Sequence, residues 1–449
     1  MKQRDNNETS EHTKHLQRID QRRISLGVKR LFLILSVAAL SVVIVNTVQA
    51  QQTVIDFSSP TFEVTERVGS ALISVTRSGD LSGTSSINYR TDNDGGSSPD
   101  CAAFDGLASS RCDYNSTFGT LTFAPGETEK SFRVMINDDS YLEPPFETFT
   151  VRLFRPTSAV LGNQSTAVVK LDDINDGSPQ SSKNTIDRTP AFVRQQYRDF
   201  LNRDPDPDGL AFWVDNIDKC EEVDRRPPLL SVAQCKESMR ISTSAAFFLS
   251  IEFRQTGGLV SAVYAAALDR PRGLPGKFEF FKDTQEVGNG VVVGIGDWES
   301  TLSQNREAFL KDFVTRGEFV GLYPTSNTPA EYVNKLYLHA LGRPASPLEM
   351  TEGIGDFGNS QNAIDAGARA KVLLRVISAA DFDVVNTEFV YMQYVGYLRR
   401  DPNEQPDFDF FGFDFWLQKL NQFDGNFAEA EMVKAFVNSG EYRARFGQP

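Results

Sequence analysis

Ala71-Leu-Ile-Ser-Val-Thr-Arg77 sets apolar side chains at residues 71, 73 and 75, the period-two pattern of a strand with one buried face. The same alternation runs through Thr61-Phe-Glu-Val-Thr-Glu66, Ser85-Ser-Ile-Asn-Tyr-Arg90, Lys130-Ser-Phe-Arg-Val-Met-Ile136 and Thr148-Phe-Thr-Val-Arg-Leu153. Gly, Pro, Asp or Ser bounds each run. About seven short strands at this spacing predict a two-sheet β-sandwich. Acids collect at the strand ends. Glu66 follows the first main strand, Asp92 and Asp94 follow Tyr89-Arg-Thr91, and Asp138 and Asp139 follow Ile136. Glu143 and Glu147 precede the next strand, and Asp172 and Asp173 close the last. Alternate strand ends of a sandwich share one pole, where these carboxylates repel unless a cation neutralises them. Ca²⁺ takes about 6–8 oxygen ligands from flexible loops. Plain acidic turns on an acidic protein are the competing reading.

The charge balance supports that competitor while excluding other roles. The chain of 449 residues carries 60 acids and 46 bases, a net charge of −14. Such a surface repels phosphate, so no nucleic-acid partner is expected. Of three histidines, His12 and His15 lie in the N-terminal arm, leaving His339 for the rest. No multi-histidine metal centre can be built from one residue, and His339 sits in an apolar helical pattern. There is no nucleophile elbow, zinc signature or phosphate loop. The sequence therefore reads as a non-enzymatic protein.

The start of the chain reads as an export signal. Leu31 to Val45 is an uncharged run of 15 residues, preceded by Arg22, Arg23, Lys29 and Arg30 and followed by Val48-Gln-Ala50. The run is short for a membrane span, which needs about 20 residues. Residues 1–50 are expected to be a cleaved signal or, failing that, an anchor and the sole membrane attachment. Four cysteines suit an exported chain. Cys101 with Cys112 and Cys220 with Cys235 is the favoured of three connectivities, because each pair stays within one proposed domain.

Residues 51–176 resemble a Calx-beta domain. The resemblance rests on Val64-Thr-Glu66, Tyr89-Arg-Thr-Asp92, Cys112-Asp-Tyr114, Gly119-Thr-Leu-Thr-Phe-Ala-Pro-Gly-Glu127, Ile136-Asn-Asp-Asp139, Glu147-Thr-Phe149 and Leu171-Asp-Asp173. It implies an Ig-like sandwich. It also implies a calcium set of Glu66, Asp92 or Asp94, Asp138, Asp139, Glu143 or Glu147, Asp172 and Asp173. Three features depart from the pattern. Gly95–Arg111 is an expanded turn holding Cys101, Pro144-Pro-Phe146 shifts Glu147 by one, and Ile174 breaks the final acidic run.

Residues 177–190 read as a polar linker, and helical spacing begins beyond it. Tyr197-x3-Leu201-x-Arg203 recurs at Tyr264, Leu268 and Arg270, at Tyr337, Leu341 and Arg343, and at Tyr394, Leu398 and Arg400. Each unit closes on an acid before an aromatic: Glu252-Phe253, Glu318-Phe319, Asp381-Phe382 and Glu441-Tyr442. Residues 191–449 are thus expected to be an all-α domain of four degenerate repeats. They resemble the DUF4214 family, with Leu210-Ala-Phe-Trp213 and Phe413-Asp-Phe-Trp416 as the Trp helices of the outer units. The repeated charges predict an Arg–acid pair in every unit. Asp204-Pro-Asp-Pro-Asp-Gly209 echoes a calcium loop, but its prolines favour a simple helix start.

The functional expectation is an exported calcium-binding surface, adhesion or cell-communication protein with an unidentified protein or matrix partner. The alternative is a metal-free extracellular scaffold whose repeats mediate assembly.

Overall fold

The structure, a computed structural model, describes residues 51–92, 101, 105–141, 146–172 and 184–448. The expected export signal lies outside the described residues, as do Asp94, Glu143 and Asp173. Among the described residues nine strands form the sandwich: β1 (Val54–Phe57), β2 (Thr61–Thr65), β3 (Ser70–Ser78), β4 (Ser85–Asp92), β5 (Phe118–Phe123), β6 (Glu129–Met135), β7 (Glu147–Thr157), β8 (Val160–Leu161) and β9 (Thr166–Asp172). One sheet has the order β6-β3-β1-β8 and the other β2-β9-β7-β4-β5. The strands beyond the seven expected include the two-residue β8, too short to show alternation in sequence.

Period two does the work of burial. On β3, Ala71, Ile73 and Val75 turn inward while Leu72 stays exposed. They share one core with Phe132 and Val134 of β6 and with Phe149, Val151 and Leu153 of β7. Each fully buried aliphatic or aromatic side chain contributes about 1.5–3 kcal/mol. The Ala124-Pro-Gly-Glu127 turn is held by the buried Arg77, whose Nε and Nη2 donate to the carbonyls of Glu127 (2.8 Å) and Ala124 (2.9 Å).

Beyond a short turn at Thr185–Asp187 the chain is helical. The first repeat holds the helices Thr189–Leu201, Pro207–Asp218, Val232–Phe248 and Ile251–Gln255. Asp206 and Ser250 cap two of them by accepting from the amides of Gly209 and Phe253. The inner repeats lack the Trp of the second helix but keep a helix there, Lys277–Gly288 and Pro347–Asp356. The disulfides are Cys101–Cys112 and Cys220–Cys235. The second joins the end of one helix to the next across 15 residues.

The repeated arginine is the clamp of every unit. Arg203 donates to Glu252 at 2.6 and 2.9 Å, Arg270 to Glu318 at 2.8 Å, Arg343 to Asp381 at 2.6 and 3.1 Å, and Arg400 to Glu441 at 2.7 and 3.3 Å. Each guanidinium also lies over the tyrosine of its own motif, with 5.0, 5.2, 5.6 and 5.2 Å to the ring centroid in order. A second acid from the start of the following helix or loop completes the set: Asp206, Glu279, Glu349 and Asp407. One planar, always-charged group therefore ties three segments together, which the point charge of a lysine could not do.

Candidate functional site: the acidic pole of the sandwich

Strand register gathers the acids as expected. Thr65 of β2 pairs with Asp172 of β9, Glu147 of β7 with Leu171, and Asp92 of β4 with Thr150. Glu66, Asp92, Glu147 and Asp172 thus stand at one end of one sheet, and Asp138 and Asp139 follow β6. Their side chains have separate partners. Asp92 accepts from Arg90 Nε at 2.6 Å and Arg152 Nε at 2.7 Å, both on the outer sheet face. Asp138 accepts from Arg188 Nη2 at 2.9 Å, and Asp139 caps the amide of Tyr141 at 2.7 Å. Glu66 is buried in the turn Glu66–Val68.

Glu147 is buried too, near the buried Asp113, whose Oδ2 accepts from the amide of Ser109. Burial, then the neighbouring Asp113 charge, pushes Glu147 up to about 9. Burial also pushes Asp113 up to about 7. Two neighbouring buried carboxyls cannot both ionise at low cost. Raised values mean the fold favours the protonated forms. Their contribution is complete below the ordinary carboxylate range and is lost as pH rises through about 7 and about 9. The thermal midpoint is expected to fall between pH 5 and pH 9, and Glu147→Gln is expected to flatten that fall. Equal slopes for wild type and variant in a calorimetric pH series would refute the assignment of that fall to Glu147 and Asp113.

The centre of the pole is filled from the helical repeats. Arg198, on the first helix, donates through Nη1 to the carbonyl of Ile136 (2.6 Å) and through Nη2 to that of Gly69 (2.8 Å), while Nε meets Asp204 at 2.8 Å. Gly69 has φ 74°, and a Cβ there would stand 3.0 Å from Arg198 Nη2. Any side chain at that position would strain the backbone and press on the guanidinium. Asn115 donates to the carbonyl of Arg198 (3.1 Å). Gln285 exchanges hydrogen bonds with the carbonyl of Ser116 (2.7 Å) and the amide of Phe118 (2.9 Å). Arg111, beside Cys112, joins Glu441 of the fourth clamp.

The calcium reading can be tested on this chemistry. Asp92 and Asp138 already face guanidinium groups. Position 137 is asparagine, its amide spent on the carbonyl of Cys112 at 2.7 Å. Among the described residues no three acidic, histidine or cysteine side chains converge as a metal site. Asp94, Glu143 and Asp173 of the expected set lie outside the described residues. The calcium-loop echo dissolves similarly: Asp204 meets Arg198, Asp206 caps its helix and Asp215 meets Arg225. His339 is an exposed helix residue whose Nδ1 meets the hydroxyl of Tyr323 at 2.8 Å. Arg188, Arg198, Arg111 and Asp113 were not anticipated as site residues.

The two-sheet sandwich and the start of the helical array each match a known family model. Residues 49–175 match the model of the Calx-beta domain and residues 179–241 that of a domain of unknown function, DUF4214. Extracellular matrix protein 3 of Lytechinus variegatus is 31% identical over 152 residues, covering 32% of this chain and 4% of that protein. Sodium/calcium exchanger 1 of Bos taurus is 34% identical over 136 residues, covering 26% of this chain and 13% of the exchanger. The chain therefore spans only a small part of these relatives. The crystal structure of the apo-form Calx CBD1 domain is 30% identical, covering 27% of this chain and 98% of that one, with a TM-score of 0.24. No helix among the described residues is long and apolar enough to cross a membrane.

Proposed function

We propose that this chain is an exported, non-enzymatic scaffold of an extracellular surface or matrix. Its sandwich pole is a docking face for its own helical repeats and not a calcium sensor. The observation that carries the reading is Arg198, which holds the carbonyls of Gly69 and Ile136 at the centre of the pole. Arg188 neutralises Asp138 beside it. A guanidinium there supplies the positive charge that a calcium ion would otherwise bring. The two disulfides suit an oxidising compartment, and the repeats offer a surface to an extracellular protein or matrix partner.

Calorimetric titration of Ca²⁺ into the full chain is expected to give no saturable heat at millimolar concentration and no rise in thermal midpoint. A saturable signal abolished by Glu66→Gln would overturn the scaffold reading. It would favour the second one, a calcium-binding adhesion or cell-communication protein. The exchanger likeness and the crowded Asp113–Glu147 pair support that second reading.

A further inference from the structure

Arg399 breaks two rules at one position. Its backbone is left-handed, at φ 54°, at the end of the opening helix of the fourth repeat. The equivalent residues of the first and third repeats are Asn202 at φ 51° and Gly342 at φ 66°, types for which that conformation is ordinary. Arginine has no such licence, and strain of this kind persists only where the surroundings over-determine it.

The second broken rule concerns charge. Arg399 is 3% exposed, and among the described residues its Nε, Nη1 and Nη2 have no hydrogen-bond partner. Five N–H donors are left unmet. The ring of Phe281 covers one face of the guanidinium, 4.1 Å from Cζ, so the donors point outward in the plane of the group. One helical turn on from Phe281, the Thr284 hydroxyl is also buried without a partner. The carboxylate that acts on Arg399 is Asp199, and both its oxygens are taken by Arg445, at 3.0 Å each. Gln195 takes a further bond to one of them. Asp199 is thus committed to Arg445, and among the described residues Arg399 has no hydrogen-bonded counter-charge. Burial draws Arg399 down to about 10, still well above neutral pH, so the charge remains. A lone buried charge is among the costliest features a fold can hold.

We propose that the interior beside Arg399 holds a small monovalent anion of the halide class, lying in the guanidinium plane and completing the charge balance of the helical body. Halide is favoured over a bulkier oxyanion because the residue is enclosed almost entirely, and a sphere meets several coplanar N–H groups at once. This inference is independent of whether the acidic pole takes calcium.

Crystals of the full chain grown in sodium bromide test it directly. The expected result is an anomalous bromide peak within hydrogen-bonding distance of the Arg399 Nη atoms. Water alone at those atoms overturns the proposal. In solution, sodium chloride should raise the thermal midpoint by roughly 3–6 °C over sodium gluconate at equal ionic strength. Arg399→Gly, which installs the residue of the third repeat, should fold and lose that difference. A halide response unchanged in the variant overturns the proposal. Should the variant not fold, the bromide peak in the wild type decides.

Discussion

Arg445→Met is expected to destabilise the protein by about 3–5 kcal/mol, the cost of leaving a buried carboxylate without its partner. Arg445 and Asp199 are both fully buried and meet through two bonds of 3.0 Å. The same guanidinium donates to the carbonyls of Tyr397 (2.8 Å) and Arg111 (2.9 Å). One side chain thereby joins the first repeat, the fourth repeat and the disulfide loop of the sandwich. Asp199→Asn should cost at least as much, because it leaves the buried Arg445 without a carboxylate and removes the acid that also acts on Arg399. Chemical denaturation of the two single variants and the double variant gives the coupling. A loss below about 1 kcal/mol for Arg445→Met, within the range of exposed pairs, would show that the pair does not close the junction.

The second large effect is graded. Replacing the clamp arginine by alanine should cost most at Arg400, less at Arg203 and least at Arg343. The side chains are 5%, 21% and 36% exposed, and solvent screens the last pair most strongly. Arg400→Ala also strips Glu441 of one of two guanidiniums, the other being Arg111, and should cost about 3 kcal/mol or more. Lysine at position 400 should not restore the loss, because it cannot fork between Glu441 and Asp407. Thermal midpoints for the three alanine variants and Arg400→Lys measure this. A flat series, or full rescue by lysine, would show the motif to be ordinary helix-end charge.

Much of this architecture was legible because repetition amplifies weak signals. Four copies of Tyr-x3-Leu-x-Arg, each ending on acid and aromatic, made the clamp readable before any coordinates. The alternation in β2, β3, β4, β6 and β7 likewise located the strands. The register places Glu66, Asp92, Glu147 and Asp172 at one end of a sheet. Their partners were hidden, since an arginine 50 to 129 residues downstream carries no local mark of the carboxylate or carbonyl it will meet. One signal was available. Arg194-Gln-Gln-Tyr-Arg-Asp199 is polar nearly all round, and a helix of that kind tends to bridge two bodies. The burial of Gln195, Gln196, Arg198 and Asp199 together is the physical form of that signal. Arg399 gave none, because its anomaly lies in backbone conformation and enclosure.

The bond from Arg111 to Glu441 closes a loop of 330 residues, and that span bears on time as well as on strength. Doubling a loop adds only about 0.6 kcal/mol to its closure, so the final stability hardly registers the distance. The search does, since pairings this remote in sequence slow folding. The sandwich should therefore assemble early, with its pole bare until the repeats arrive. The rate at which the chain escapes aggregation would then be set by the docking of its two halves.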